Sequence, residues 1–228
     1  MWSSDDELFA AARRELFSAV IGDLMDKMGL QRQFLPPAVV PLERSMVVCG
    51  RALTVLEADV FDESVKGSYN PLSAQPFGLM MDALDDLKKD EVYICSGSSP
   101  RYALWGELMT VRAMKCGAAG AVVDGYSRDT SGVLALGFPT FSYGSYAQDQ
   151  GPRGKVIDYR IPIQVGQVRV LPGDIVFGDL DGVCIVPKAA EQDVLAAAFE
   201  KARKEKVVRK ALEEGMTARE AFAQYGIL

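Results

Sequence analysis

"GELMTVRAMKCGAAGAVVDGYSRD", residues 106–129, decides how this chain folds. Leu108, Val111, Met114 and Lys115 recur at spacings of three and four, which predicts a helix over 107–116 that Gly117 is placed to stop. The run Gly120-Ala121-Val122-Val123-Asp124 predicts a short buried strand. Ten helical residues rise about 15 Å, and the strand returns roughly the same distance at about 3.3 Å per residue. Glu107 and the Arg128-Asp129 pair are therefore expected at one edge of a sheet. A helix N-terminus there offers free N–H groups and a favourable dipole, so a small carboxylate has a dock on the amides of Leu108 and Met109. The same spacing also fits a first-turn Glu complementing the dipole, with Arg128-Asp129 as a surface ion pair.

Outward from this stretch the pattern alternates helix and strand. Towards the N-terminus, Ser3-Ser4-Asp5-Asp6-Glu7 is a helix-start signal, followed by apolar residues from Phe9 to Met28, and one broken or two consecutive helices fit residues 1–30. Ser18 is a candidate second cap. Residues 46–49 and 51–56 read as a bent strand or strand pair split by Gly50, and Phe61 to Pro76 as a polar loop able to cover a site. Leu79–Leu87 reads as a helix, Glu91–Cys95 as a strand, and Ser96–Pro100 as a loop running to the helix at Gly106. This order implies a sheet with helices packed on it.

Beyond Asp129 the pattern changes to short strands at 140–143, 156–165, 168–171, 175–178 and 183–187, with turns at Pro172-Gly173-Asp174 and Asp179-Leu180-Asp181-Gly182. The chain then reads as helical from Ala189 to about Leu212, with a last short helix from Thr217. Asp174 and Asp181 are expected to be turn residues, and Asp124 a strand-end residue. Trp105 suits either packing or a pocket wall.

Composition narrows the function. The 228 residues are 49% hydrophobic and 25% charged, which suits one globular domain. The apolar runs are far shorter than the roughly 20 residues a membrane span needs, and a soluble, cytoplasmic protein is expected. A net charge of −6 leaves no global footprint for nucleic acid. The basic run 201–210 has Glu191, Glu200, Glu205, Glu213 and Glu214 in or beside it and reads as a solvated helix with charge pairs. Cys49, Cys95, Cys116 and Cys184 are far apart and read as reduced core thiols. The chain has no histidine, which removes Ser-His-Asp and Cys-His catalysis and His-ligated zinc. A metal held here would take oxygen ligands, which favours Mg²⁺ or Mn²⁺. No G-x-G-x-x-G follows a strand and no P-loop is present.

Glu107, twenty intervening positions, then Arg128-Asp129, followed by "PIQVGQVRVLPGDIVFGDLDGVCIVP" (162–187), resembles the RraA-like family. That family includes the 4-hydroxy-4-methyl-2-oxoglutarate / 4-carboxy-4-hydroxy-2-oxoadipate aldolases. The resemblance extends from "VIGDLMDKMG" (20–29) and "GRALTV" (50–55) to "GMTAREAFAQYGIL" at the C-terminus. It implies an α/β fold, the swivelling β/β/α sandwich, as a single domain over 1–228 with N- and C-terminal helices. The helices of 189–228 would pack on a neighbouring subunit, in homotrimers that pair into hexamers or remain trimers.

The resemblance also implies a divalent-metal-dependent lyase, an aldolase or oxaloacetate decarboxylase acting on a small 2-oxo acid. Asp129 would ligate Mg²⁺ (or Mn²⁺), with Glu107 holding the metal or its water. Arg128 would bind the keto or enolate oxygen. Gly106 and the amides of Leu108 and Met109 would bind the substrate carboxylate. Glu205 would be the acid supplied by a neighbouring subunit. The family aldolases have Asp at the position of Glu107, which leaves a different oxo or hydroxy acid open as substrate. The family's RNase regulators, which bind protein without catalysis, are the other implied class.

Overall fold

The structure, a computed structural model, describes residues 2–60 and 70–227. Twelve strands and seven α-helices are formed by these residues. The N-terminal region is two helices, α1 (Asp5–Glu15) and α2 (Ser18–Lys27). Ser4 caps α1 by accepting from the Glu7 amide, as the acidic start signal predicts. Ser18 is not a side-chain cap. It is the first residue of α2, and its amide and hydroxyl both donate to Asp179 at 2.7 Å, so a strand-end carboxylate supplies the acceptor that Phe17 lacks.

The strands follow as β1 (Val40–Pro41), β2 (Val48–Asp59), β3 (Glu91–Ser96), β4 (Ala103–Trp105), β5 (Gly120–Val123), β6 (Tyr126–Ser127) and β7 (Thr140–Ser142). After them come β8 (Gly154–Tyr159), β9 (Ile163–Val165), β10 (Val168–Val170), β11 (Ile175–Asp179) and β12 (Gly182–Val186). The main sheet runs β1-β7-β5-β3-β2-β11-β12, with β8 also paired to β2. β2 is parallel to β3 on one side, and on the other it pairs antiparallel first with β11 and then with β8. Serving both partners is what makes it twelve residues long.

Gly50 does not split β2. It lies within the strand, where a Cβ would come 2.3 Å from the Asp90 carbonyl oxygen, so the close approach of that backbone excludes any side chain. The irregularity falls instead between Leu56 and Glu57. The strand expected over 156–165 is divided into β8 and β9 by a turn at Arg160, whose φ is 55°. The helix expected over 79–87 is α3 (Met80–Asp85).

Alternation along the strands builds three layers. Cys49, Ile175, Phe177, Cys184 and Val186 face α1, α2 and α6 (Glu191–Glu213). On the same face, Leu53, Val55, Tyr93, Cys95 and Val123 meet α3 and α4 (Glu107–Cys116). The opposite face, Val48, Ala52, Val92, Ile94, Val122 and Val176, is covered by the β9–β10 hairpin through Ile163, Val165, Val168 and Val170. The result is the β/β/α sandwich with terminal helices that the sequence resemblance implies.

The buried half of α6 packs through Val194, Leu195, Ala198, Phe199 and Ala202 on its own chain. Its later part carries the basic run, held in i,i+4 pairs such as Lys204–Glu200 and Arg209–Glu213. The last helix, α7 (Ala218–Tyr225), opens with a capping box between Thr217 and Glu220. Asp174 is a turn residue as expected, accepting from the amides of Leu171 and Lys188 at 2.9 Å. All four cysteines are free thiols, and burial pushes the Cys49 thiol up to about 12. Among the described residues no helix is long and apolar enough to cross a membrane. Of the polar segment 61–76, residues 61–69 lie outside the described residues, and Pro71–Ala74 is one 3-10 turn with Asn70 accepting from the Leu72 amide.

Candidate active site

Glu107 opens α4, and Gly117 closes it in the left-handed conformation at φ 80°. What returns the chain to Glu107 is a small parallel sheet that periodicity did not reveal: β4 pairs with β6, matching Trp105 to Ser127. The Arg128 amide then donates to the Trp105 carbonyl at 2.9 Å, so residues 105–107 and 127–129 run side by side. Ser127 is held on its other edge, donating to Gly144 at 2.9 Å and accepting from Tyr146 at 2.8 Å.

Trp105 belongs to the support and not to a pocket wall. It is 1% exposed, lies between Tyr93 and Phe138, and its Nε1 donates to Thr110 Oγ1 at 2.8 Å. Thr110 donates in turn to the Gly106 carbonyl at 3.0 Å, which ties the tryptophan to the first turn of α4.

Two glycines set the approach of the carboxylates. A Cβ on Gly106 would lie 2.9 Å from Asp129 Oδ2, and a Cβ on Gly132 would lie 2.3 Å from the Glu107 carboxyl carbon. Asp129 caps α5 (Thr130–Ala135), a helix the sequence pattern did not predict, from the left-handed region at φ 53°. An aspartate at that position normally bonds the helix amides with its side chain. Here no side-chain cap bond forms; the backbone carbonyl of Asp129 accepts from Gly132 and Val133, and the carboxylate is left to face Gly106. Asp129 itself thus carries the carboxylate from a positive φ, a conformation that costs a non-glycine residue backbone strain.

Arg128 lies between carboxylates. Its Nη1 donates to Asp149 Oδ1 at 2.6 Å, and its Nε stands 3.6 Å from Asp129 Oδ2. Gly106 provides no side-chain cap for α4, so the first-turn amides, those of Leu108 and Met109 among them, have no capping side chain. The site is an open edge: Glu107 and Asp129 are exposed and Arg128 is half-buried. Asp124 is engaged nearby as a strand-end residue, accepting from Ser96 and Tyr143 hydroxyls at 2.6 Å.

Residues 18–185 match the family model described as RraA-like, Aldolase/RraA. The chain belongs to the RraA-like family. A relative from Halalkalibacterium halodurans with the provisional name 4-hydroxy-4-methyl-2-oxoglutarate aldolase is 29% identical over 95% of this chain and 94% of its own. Protein DlpA of Legionella pneumophila is 26% identical over 91% of this chain, which spans only 32% of DlpA. Among solved structures, one described as novel cellulases from gut-associated microbes is 30% identical with a TM-score of 0.79, covering 90% of this chain and 88% of that one. RraAS2 of Streptomyces coelicolor, described as an unusual member of the RNase ES inhibitor RraA family, shares the fold at 24% identity, with a TM-score of 0.76 over 92% of this chain and 99% of its own.

In this RraA-like chain the fold brings together Gly106, Glu107, Leu108, Met109, Arg128 and Asp129. Glu205 is not among them. It lies on α6, pairs with Lys201 at 3.5 Å, and lines a groove of about 630 Å³ with Phe17, Val208, Leu212 and Ile227. Asp149, twenty-one residues away in the chain, joins the cluster through Arg128. Its signal was the turn sequence Asp149-Gln150-Gly151, which marks a loop but not its destination.

Proposed function

We propose that the protein is a divalent-metal-dependent lyase that cleaves a small 2-oxo acid to pyruvate, as a pyruvate aldolase, an oxaloacetate decarboxylase, or both. The observation that carries this reading is the Arg128-Asp129 pair set directly against an uncapped helix N-terminus, with the Asp129 carboxylate facing side-chain-free Gly106. The relatives named as aldolases favour the same class.

The donor set fits Mg²⁺ or Mn²⁺. It consists of carboxylate oxygens on an open edge, and the space beside Asp129 exists because residue 106 lacks a Cβ. Among the described residues no group of three or more Asp, Glu, Cys or His could hold a metal ion, so the proposed ion would rest on one or two carboxylates and its own waters. Asp129 would hold the ion and Glu107 its water. Bound there, the ion would add positive charge opposite the substrate's carboxylate and keto oxygens.

The chain's own groups account for the rest. The amides of Leu108 and Met109 take the substrate carboxylate at the helix N-terminus. Arg128 stabilises the negative charge that grows on the keto oxygen when a bond to C3 breaks. In the aldol case the 4-hydroxyl gives its proton to a carboxylate, the C3–C4 bond breaks, and its electron pair moves to C3. In the decarboxylase case CO₂ leaves from C3 instead. Both yield pyruvate enolate, which takes a proton at C3 from water held by Glu107.

Assembly into trimers or hexamers belongs to the same reading. An apolar stripe on α4, with Leu108 82% exposed and Val111 and Met114 also exposed, offers a subunit interface beside the site. Glu205 of a neighbouring copy is the acid we assign to that assembly. The test is pyruvate release from oxaloacetate and from 4-hydroxy-4-methyl-2-oxoglutarate, with Mg²⁺ and with EDTA. Metal-dependent turnover is expected; none from either substrate in folded protein would move the weight to a protein-binding role.

A further inference from the structure

Three consecutive residues, Gln148, Asp149 and Gln150, take polar partners on three different segments: β4, the connection between β6 and α5, and β2. The Gln148 carbonyl accepts from the Ala103 amide of β4 at 2.8 Å. Asp149 Oδ1 accepts from Arg128 at 2.6 Å, while Oδ2 accepts from the Gly151 amide at 3.1 Å. A Cβ on residue 151 would come 2.7 Å from that oxygen, so any side chain there would push the Asp149 carboxylate aside. Gln150 is 4% exposed, and its Nε2 donates to Glu57 Oε2 at 2.7 Å.

Glu57 is the unexpected member. It is 2% exposed on β2 at the register shift next to Leu56, and among the described residues its Oε1 has no partner. Burying a carboxyl with one oxygen unsatisfied costs stability, and an apolar side chain would fill the place at less cost. What Glu57 supplies instead is a directional anchor for the segment that presents Asp149. Among the described residues, Arg128 Nη2 has no partner, so the guanidinium is gripped on one side and open on the other.

We propose that Glu57, Gln150 and Asp149 form a positioning relay that fixes the Arg128 guanidinium at the site edge and leaves its remaining N–H groups for a ligand oxygen. Because the guanidinium is a planar fork, its value to a ligand depends on which way it is held. Asp149 acts here through Arg128 and is a positioning residue. The consequence for ligand binding rests on the reading of Arg128 as the substrate-binding cation.

The test has two readouts on the full chain. The first is the order of the Arg128 Nε–H group by NMR relaxation. It is expected to be rigid in the wild type and in Glu57→Gln, which keeps an acceptor for Gln150, and mobile in Asp149→Ala, Gln150→Ala and Glu57→Leu. An Arg128 equally rigid in folded Asp149→Ala and Gln150→Ala overturns the relay. The second is calorimetric affinity for oxalate, a mimic of pyruvate enolate, in the presence of Mg²⁺. Asp149→Ala is expected to weaken it about tenfold, with no further loss when added to Arg128→Ala. A wild type that binds no oxalate counts against the lyase reading, and the NMR readout then decides the relay alone.

Discussion

The Asp129 carboxylate and the α-carbon of Gly106 stand so close that a Cβ on residue 106 would lie 2.9 Å from Oδ2. Gly106 has φ −159°, extended backbone open to any residue, so its lack of a side chain serves the neighbouring carboxylate and not the local chain. Gly106→Ala should leave the melting temperature within about 2 °C, because the group displaced is the end of a flexible side chain. It should weaken Mg²⁺-dependent turnover by roughly tenfold or more, since displacement on the order of 1 Å is enough. Thermal melts and a Mg²⁺ titration of the rate check both halves.

Asp129 is best separated from its backbone role by Asn, which tolerates the left-handed region. Asp129→Asn is expected to fold as the wild type does and to lose about a hundredfold or more in kcat/KM for 2-oxo acids. Asp129→Ala should show the same loss together with a lower melting temperature from the positive φ. Comparing the two variants by melting and by pyruvate release distinguishes the charge from the backbone.

Glu107 occupies the space that residue 132 leaves open, its carboxyl carbon 2.3 Å from where a Cβ of Gly132 would be. Gly132→Ala should push the Glu107 carboxylate aside and reduce turnover severalfold. Glu107→Asp in the Gly132→Ala background should recover part of it, since the shorter side chain no longer meets the added methyl. Additive losses in that double variant would show that the two positions do not share the space.

Burial raises the Glu57 carboxyl from its ordinary 4.5 to about 8, a shift the Gln150 hydrogen bond opposes. A carboxyl raised on folding keeps its proton in the native state while the unfolded chain loses it. Its contribution to stability is therefore complete below pH 4.5 and is lost as pH rises to about 8. The full loss is on the order of 4 to 5 kcal/mol. Glu57→Gln should match the wild type in melting temperature at pH 5 and exceed it by roughly 5 °C or more at pH 9. An equal difference at both pH values would show that Glu57 does not titrate in this range.

Several elements of the fold were legible because they rest on local rules. Helix α4 ends at Gly117 because only a residue free to adopt φ 80° fits there, and α7 begins at Thr217 because Thr217 and Glu220 satisfy each other's amides. Strand β4 and helix α5 were not legible: Ala103-Leu104-Trp105 is too short to show alternation, and α5 is six residues with a glycine inside. Those two elements complete the site, β4 by pairing with β6 and α5 by placing Gly132 under Glu107.

Sequence alone determined which residue types this protein can use: carboxylates and arginine in place of histidine, a helix opened by Glu107, and an Arg128-Asp129 pair one strand away. Periodicity, caps and turn residues act over a few positions, so they can be read along the chain. Tertiary structure decided what those residues meet. The grip of Asp149 on Arg128 and the buried link from Gln150 to Glu57 join positions 21 and 93 residues apart, and such contacts leave no local pattern because they form only after the sheet has brought its strands together.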